Sequence, residues 1–142
     1  MKILLADDEP IARTMVEHWL AGWGYETVCV RDGRAALEAL RSDPEIHIAL
    51  LDWVMSEMDG VDVCKKLREE DRQLPVHVIM LMARDDKKEL TRALDSGADD
   101  FLLKPCNPLE LRVRVQAGCR LVELRQELDQ ARKQLRALAA RD

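Results

Sequence analysis

The chain has 142 residues, of which 47% are hydrophobic and 35% charged, with a formal net charge of -5. That is enough sequence for one domain with a real core, and the negative balance argues against a nucleic-acid face in this segment. No apolar stretch approaches the roughly 20 residues that a bilayer-spanning helix needs, and the N-terminus enters an apolar run with no signal-peptide pattern. No membrane and no nucleic acid are therefore expected among the partners, and a cytoplasmic location is expected. Cys29, Cys64, Cys106 and Cys119 lie far apart with no Cys-x-x-Cys pair. That spacing suits reduced, structural thiols better than a zinc site or a disulfide framework.

Strands and helices are predicted to alternate. Lys2 to Ala6 forms a first apolar strand. Ile11, Met15, Trp19 and Leu20 then repeat at helical spacing, with Pro10 suited to the first turn. Gly22 and Gly24 end that helix, and Tyr25 to Val30 is the second strand. Ala35, Leu37 and Leu40 mark a second helix closing near Ser42-Asp43-Pro44, and Ile46 to Leu51 is the third strand. After a loop from Asp52 to Gly60, a third helix carries Val61, Cys64 and Leu67. Pro75 opens a fourth strand whose near-continuous apolar run suggests burial on both faces. Leu90, Ala93 and Leu94 belong to a fourth helix stopped by Ser96-Gly97, and Phe101 to Leu103 is a fifth strand. Such alternation implies right-handed crossovers and a doubly wound parallel sheet, an α/β fold.

Charged residues stand at the ends of three of these strands. Asp7 and Asp8 follow the first, Asp52 the third and Lys104 the fifth. Parallel strands bring their carboxyl ends to one sheet edge, where open α/β sheets bind ligands. Three carboxylates and an ammonium would converge there. Clustered carboxylates repel one another unless a cation joins them, and all-oxygen donors favour a hard cation such as Mg²⁺. The edge is thus expected to hold a metal and a phosphoryl group. Taken singly, an Asp-Asp pair after a strand is ordinarily a solvated turn, and Lys104 a surface lysine. Their placement in step favours the site. Glu9 is better explained as a helix N-terminal charge than as a ligand. His18, His47 and His77 carry no motif, and Trp53 is expected to pack beside the pocket.

Asp7-Asp8, Asp52 within Asp52-Trp53-Val54-Met55-Ser56-Glu57-Met58-Asp59-Gly60, Gly97-Ala98-Asp99-Asp100 and Lys104-Pro105 together resemble the receiver domain of two-component response regulators, over residues 1 to about 118. The resemblance implies a flavodoxin-like, five-stranded parallel sheet of order 2-1-3-4-5. It implies that Asp52 accepts a phosphoryl group from a histidine kinase or phosphotransfer protein. It also implies Mg²⁺ ligation by Asp8, Asp52 and the backbone carbonyl of Val54, with Asp7 acting largely through water. Lys104 would pair with the phosphoryl oxygens. The resemblance also implies a cis Lys104-Pro105 bond, which proline makes accessible by lowering the trans preference to about 0.5–1 kcal/mol. No enzymatic activity is implied beyond the domain's own phosphorylation and dephosphorylation. A phosphatase reading is weaker, because Asp52 lacks the Asp-x-Asp-x-Thr pattern of haloacid dehalogenase-like enzymes.

The chain departs from the family at several positions. Met82 precedes Ala83 where Ser or Thr usually stands, and a thioether cannot donate a hydrogen bond. Phe101 occupies the aromatic switch position in place of the frequent Tyr. Ser56 replaces a common Pro, and Cys106 a frequent Phe. Met82 supports a rival reading, a degenerate receiver that acts as a structural dimerisation module.

From Pro108 a fifth helix is predicted with no proline to interrupt it before Asp142. Gly118 marks either a soft joint or a close helix contact. Leu121, Leu124, Leu128, Ala131, Leu135 and Leu138 follow a 3-4 spacing, a coiled-coil seam of nearly three heptads. Glu127 and Arg132 fall at g and following e positions, while Arg120 and Arg125 would repel. The alternative is a single helix folding back on the domain. Residues 119–142 are therefore expected to form a helical extension beyond a 1–118 domain and to make a homodimer. The final residues, Leu135 to Asp142, resemble the linker entering diguanylate cyclase domains, with Asp142 as the first Asp of Asp-x-Leu-Thr. The chain is accordingly expected to be a fragment whose missing output is a diguanylate cyclase, with other coiled-coil-linked outputs, such as phosphatases or kinases, left open.

Overall fold

A computed structural model describes residues 1–83 and 90–141. Its elements are β1 (Lys2–Ala6), α1 (Pro10–Gly22), β2 (Glu26–Val30), α2 (Gly33–Ser42), β3 (Ile46–Asp52), α3 (Gly60–Glu69), β4 (His77–Ala83), α4 (Leu90–Asp95), β5 (Asp100–Lys104) and α5 (Pro108–Ala139). The sheet is wholly parallel, with order β2-β1-β3-β4-β5. This is the flavodoxin-like arrangement expected.

The central strands are buried on both faces, and their side chains alternate between two cores. Leu4, Ala6, Ala49, Leu51, Val78, Met80 and Met82 face α2, α3 and α4. Ile3, Leu5, Ile48, Leu50, Ile79, Leu81 and Leu102 face α1 and α5. Helix starts are fixed by side chains that accept the orphan N–H groups of the first turn. Glu9 accepts from Ile11 and Ala12, Asp32 from Ala35, Asp59 from Asp62, and Asn107 from Leu109 and Glu110. Glu9 is thus a helix cap, as its position suggested.

Strand ends differ modestly from expectation. Tyr25 donates its N–H to the Leu20 carbonyl, closing α1, so β2 starts one residue later. Pro75 has no N–H to offer a ladder, and β4 begins at His77. β3 runs on to Asp52, which pairs with Leu81, and β5 includes Lys104, which pairs with Ala83. The charged residues at the third and fifth strand ends therefore belong to the sheet.

α5 continues unbroken through Gly118. A Cβ on that glycine would lie 2.8 Å from His77 Cδ2, so the close contact, and not the soft joint, explains it. Leu111, Val115, Cys119 and Val122 bury the inner face of the helix. Leu121, Leu124, Leu128, Leu135 and Leu138 are exposed, so the seam does not fold back on its own domain. At 100° per residue the two stripes point to roughly opposite sides of the helix. Asp142 lies outside the described residues.

Candidate functional site

The carboxyl edge of the sheet assembles residues from β1, β3 and β5. Lys104 Nζ lies 2.9 Å from Asp7 Oδ2 and 2.9 Å from Asp52 Oδ2. One carboxylate oxygen from each of Asp7, Asp8 and Asp52 lies within 4.8 Å of the others. Asp7 is fully buried and Asp52 nearly so, while Asp8 is exposed at the rim. All four residues named from the sequence are therefore brought together. Asp7 Oδ1 also accepts the Glu9 N–H at 3.0 Å.

Local chain geometry holds this cluster. Gly60 donates its N–H to the Trp53 carbonyl at 2.8 Å, folding the loop back over the end of β3. A Cβ on Gly60 would lie 2.5 Å from the Asp52 carbonyl oxygen, so only glycine fits there. Trp53 is buried next to the site, and the Arg92 guanidinium lies 6.0 Å from its ring centroid. Val54 sits exposed at the loop crest. The Lys104–Pro105 bond is cis, as expected. Arg13 was not singled out from the sequence. Its guanidinium donates to the Asp7 carbonyl at 2.8 Å, and only the packing of α1 against β1 brings the two together.

The electrostatics follow from burial. Burial pushes the Asp52 carboxyl up to about 6, opposed by the adjacent Lys104 ammonium and reinforced by Asp7. The Lys104 ammonium is raised: burial acts against it, but hydrogen bonds to Asp52 and Asp7 outweigh that cost. Two close carboxylates and one ammonium leave excess negative charge in a poorly hydrated pocket. Oxygen donors in such a set fit a hard divalent cation of the Mg²⁺ type. Met82 is buried in the adjoining core, and together with Leu90, Phe101 and Leu103 it borders an apolar cavity of about 290 Å³.

Residues 3–116 match the family model described as the response regulator receiver domain. The chain belongs to the response regulator receiver family. It is 39% identical over 119 residues to the DNA-binding response regulator MtrA of Mycolicibacterium smegmatis, covering 84% of this chain and 50% of that protein. A solved probable two-component system response regulator/GGDEF domain protein superposes with a TM-score of 0.80 at 30% identity, covering 87% of this chain and 50% of that one. The receiver domain of the sensor histidine kinase PA1611 from Pseudomonas aeruginosa, solved with magnesium in its active-site cleft, superposes with a TM-score of 0.75 at 28% identity, covering 82% of this chain and 94% of that one.

One expectation is corrected by these relatives. The negative charge of the sequence predicts no nucleic-acid partner. A relative at 39% identity is named as a DNA-binding regulator, which overturns it. The chain spans about half the length of the curated relatives it matches. Its charge therefore describes the surface of this receiver alone. Among the described residues, no helix is long and apolar enough to cross a membrane.

Proposed function

We infer that this receiver accepts a phosphoryl group on Asp52 from a histidine kinase or phosphotransfer protein. The observation that carries this reading is Lys104 Nζ held 2.9 Å from both Asp7 and Asp52, with Asp8 at the rim. An Asp52 carboxylate oxygen attacks the phosphorus of a phosphohistidine. The new P–O bond gives an acyl phosphate as the P–N bond breaks, and the imidazole leaves with the electron pair and takes a proton. In phosphoryl transfer the protein mainly positions groups and offsets charge. Lys104 is placed to turn from Asp52 to the arriving phosphoryl oxygens. Asp8, Asp52 and the Val54 carbonyl would hold Mg²⁺, with Asp7 beside them. Bound there, Mg²⁺ supplies positive charge against the phosphoryl oxygens. Asp7 accepts from Lys104 and from the Glu9 N–H, which fits a supporting ligand.

The test is phosphoryl incorporation measured by mass, with acetyl phosphate as donor and Mg²⁺ present. Uptake in wild type and none in Asp52→Asn supports the reading. No uptake in wild type favours the degenerate receiver that Met82 suggests.

The extension, residues 119–142, carries the signal outward in this reading. Its exposed leucines fit a second copy of the same helix, so a parallel homodimer holds two outputs side by side. A diguanylate cyclase joins two nucleotides and requires such pairing. The relative that carries a GGDEF domain supports that output. A DNA-binding output is the second reading, favoured by the relatives named as transcriptional regulators. The coding sequence after Asp142 decides between them. The domain itself performs no catalysis beyond its own phosphorylation and dephosphorylation, and its place is the cytoplasm, where kinases present their phosphohistidines.

A further inference from the structure

His77 begins β4 on the face covered by α5, and it is only 6% exposed. Neither ring nitrogen has a hydrogen-bond partner. Gly118 of α5 rests on the ring, at a distance that leaves no room for a Cβ. His77 Nδ1 lies 3.8 Å from Asp99 Oδ2. That oxygen already accepts from Arg68 Nη2 and from the Val78 N–H, each at 2.8 Å. Asp99 Oδ1 lies 4.0 Å from Arg125 Nη2 on α5, and Arg125 Nη1 is buried without a partner. On the adjoining β5, Asp100 is engaged by Arg114 of α5 at 3.4 Å.

Two guanidiniums, from α3 and α5, thus share one carboxylate around a buried imidazole. Beyond Val122 the helix is held to the receiver by polar contacts. Among the described residues these include Arg125 near Asp99 and the Gln73 side-chain N–H donated to Asp129 at 3.1 Å. We propose that His77, Asp99 and Arg125, beneath Gly118, form an acid-released latch that holds the α5 extension against the receiver. Protonated His77 would donate from Nδ1 to Asp99 Oδ2, beside Arg68 and the Val78 N–H, and would offset the carboxylate charge that Arg125 faces through Oδ1. It would also add a third positive charge beneath the helix. Burial chiefly pushes the imidazole below its ordinary value, with Asp99 opposing, Arg125 lowering it further, Asp100 opposing and Arg68 lowering. A ring released to water recovers the ordinary value of about 6.5. The released form therefore binds the proton more readily than the docked form. Falling pH below about 6.5 favours release, by up to tenfold in population for each pH unit between the two values.

The latch deepens the reading of α5 as the relay. Its test needs no phosphoryl uptake, so failure of the latch and failure of phosphorylation at Asp52 are separable. In the full 142-residue chain, NMR follows the His77 ring through pH and the nuclear Overhauser contact from its Hδ2 to the Gly118 Hα protons. The contact is expected at pH 7.5 and lost by pH 5.0 as His77 titrates below 6.5. His77→Phe keeps the packing but cannot titrate, and is expected to hold the corresponding ring contact at both pH values. Arg125→Gln is expected to lose the contact already at pH 7.5 while the core signals of Leu111 and Val115 persist. A ring that stays neutral to pH 5.0, a titration that leaves the contact intact, loss at pH 5.0 also in His77→Phe, or an unchanged contact in Arg125→Gln would each overturn the latch. If His77→Phe does not fold, the wild-type titration and Arg125→Gln decide alone.

Discussion

The Lys104 ammonium bridges Asp52 and Asp7, 2.9 Å from an oxygen of each. Asp52 lies on β3 and Lys104 on β5, with β4 between them, so the contact spans two sheet positions. It leaves Lys104 as the nearest compensating charge for an otherwise anionic pocket. Lys104→Ala should therefore slow phosphoryl uptake from acetyl phosphate by roughly 100-fold, the scale of removing one preorganised donor. Timed mass spectrometry checks this. Uptake at the wild-type rate would remove Lys104 from the reaction.

Asp52 should weaken the metal-free fold at neutral pH. Its folded pKa, about 6, lies above the unfolded value of about 3.9, so the fold favours the protonated form. That favourable contribution is present at low pH and is lost as pH rises from about 4 through 6. Asp52→Asn should thus be more stable than wild type at pH 7.5. About 1 kcal/mol is expected, below the ~3 kcal/mol that two pKa units represent, because Lys104 loses one partner. That corresponds to a Tm increase of about 3 °C. Thermal melts at pH 4 and 7.5 check the sign. The advantage should vanish at pH 4, and Mg²⁺ should stabilise wild type more than the variant.

Position 82 should limit switching. Met82 is buried and borders one apolar cavity with Phe101; if Asp52 is phosphorylated as proposed, a hydroxyl at this position, where the family usually has Ser or Thr, would hydrogen-bond a phosphoryl oxygen. A hydrogen bond to a charged group is worth about 1.5–3 kcal/mol, whereas driving a switch from 1:99 to 99:1 needs about 5.5 kcal/mol. Beryllofluoride should shift amides across residues 83 to 105 less in wild type than in Met82→Thr. Full shifts in wild type, with nothing added by the substitution, would show that position 82 is not limiting.

The extension should dimerise. Leu124 and Leu128 are each about half exposed in the single chain, and burial in a seam with a second copy removes that surface from water. The seam is short, so a concentration-dependent dimer is expected. Sedimentation should show wild type associating and a chain ending near Arg120 remaining monomeric. Leu124→Ala with Leu128→Ala should weaken association at least tenfold, or about 1.4 kcal/mol. Monomers of every form at high concentration would end the coiled-coil reading.

The local pattern of residues determined most of the sheet. Apolar runs such as Ile3 to Ala6 and Val78 to Met82 suit strands buried on both faces, and glycines, prolines and capping side chains divide them. With parallel strands, the run-ending acids and lysine must share one edge, so Asp7, Asp8, Asp52 and Lys104 were legible before any fold was known. What lay beyond the sequence depends on packing between distant elements. Asp7 and Asp8 are adjacent and chemically alike, yet one is fully buried and the other exposed, because only Asp7 points beneath Lys104. Arg13 reaches the Asp7 carbonyl because α1 lies against β1. Gly118 looked equally suited to a bend or a close approach, and the His77 ring beneath it decides for the approach. A residue's identity and spacing set its chemistry, but its dielectric surroundings and its partners exist only once the chain is folded.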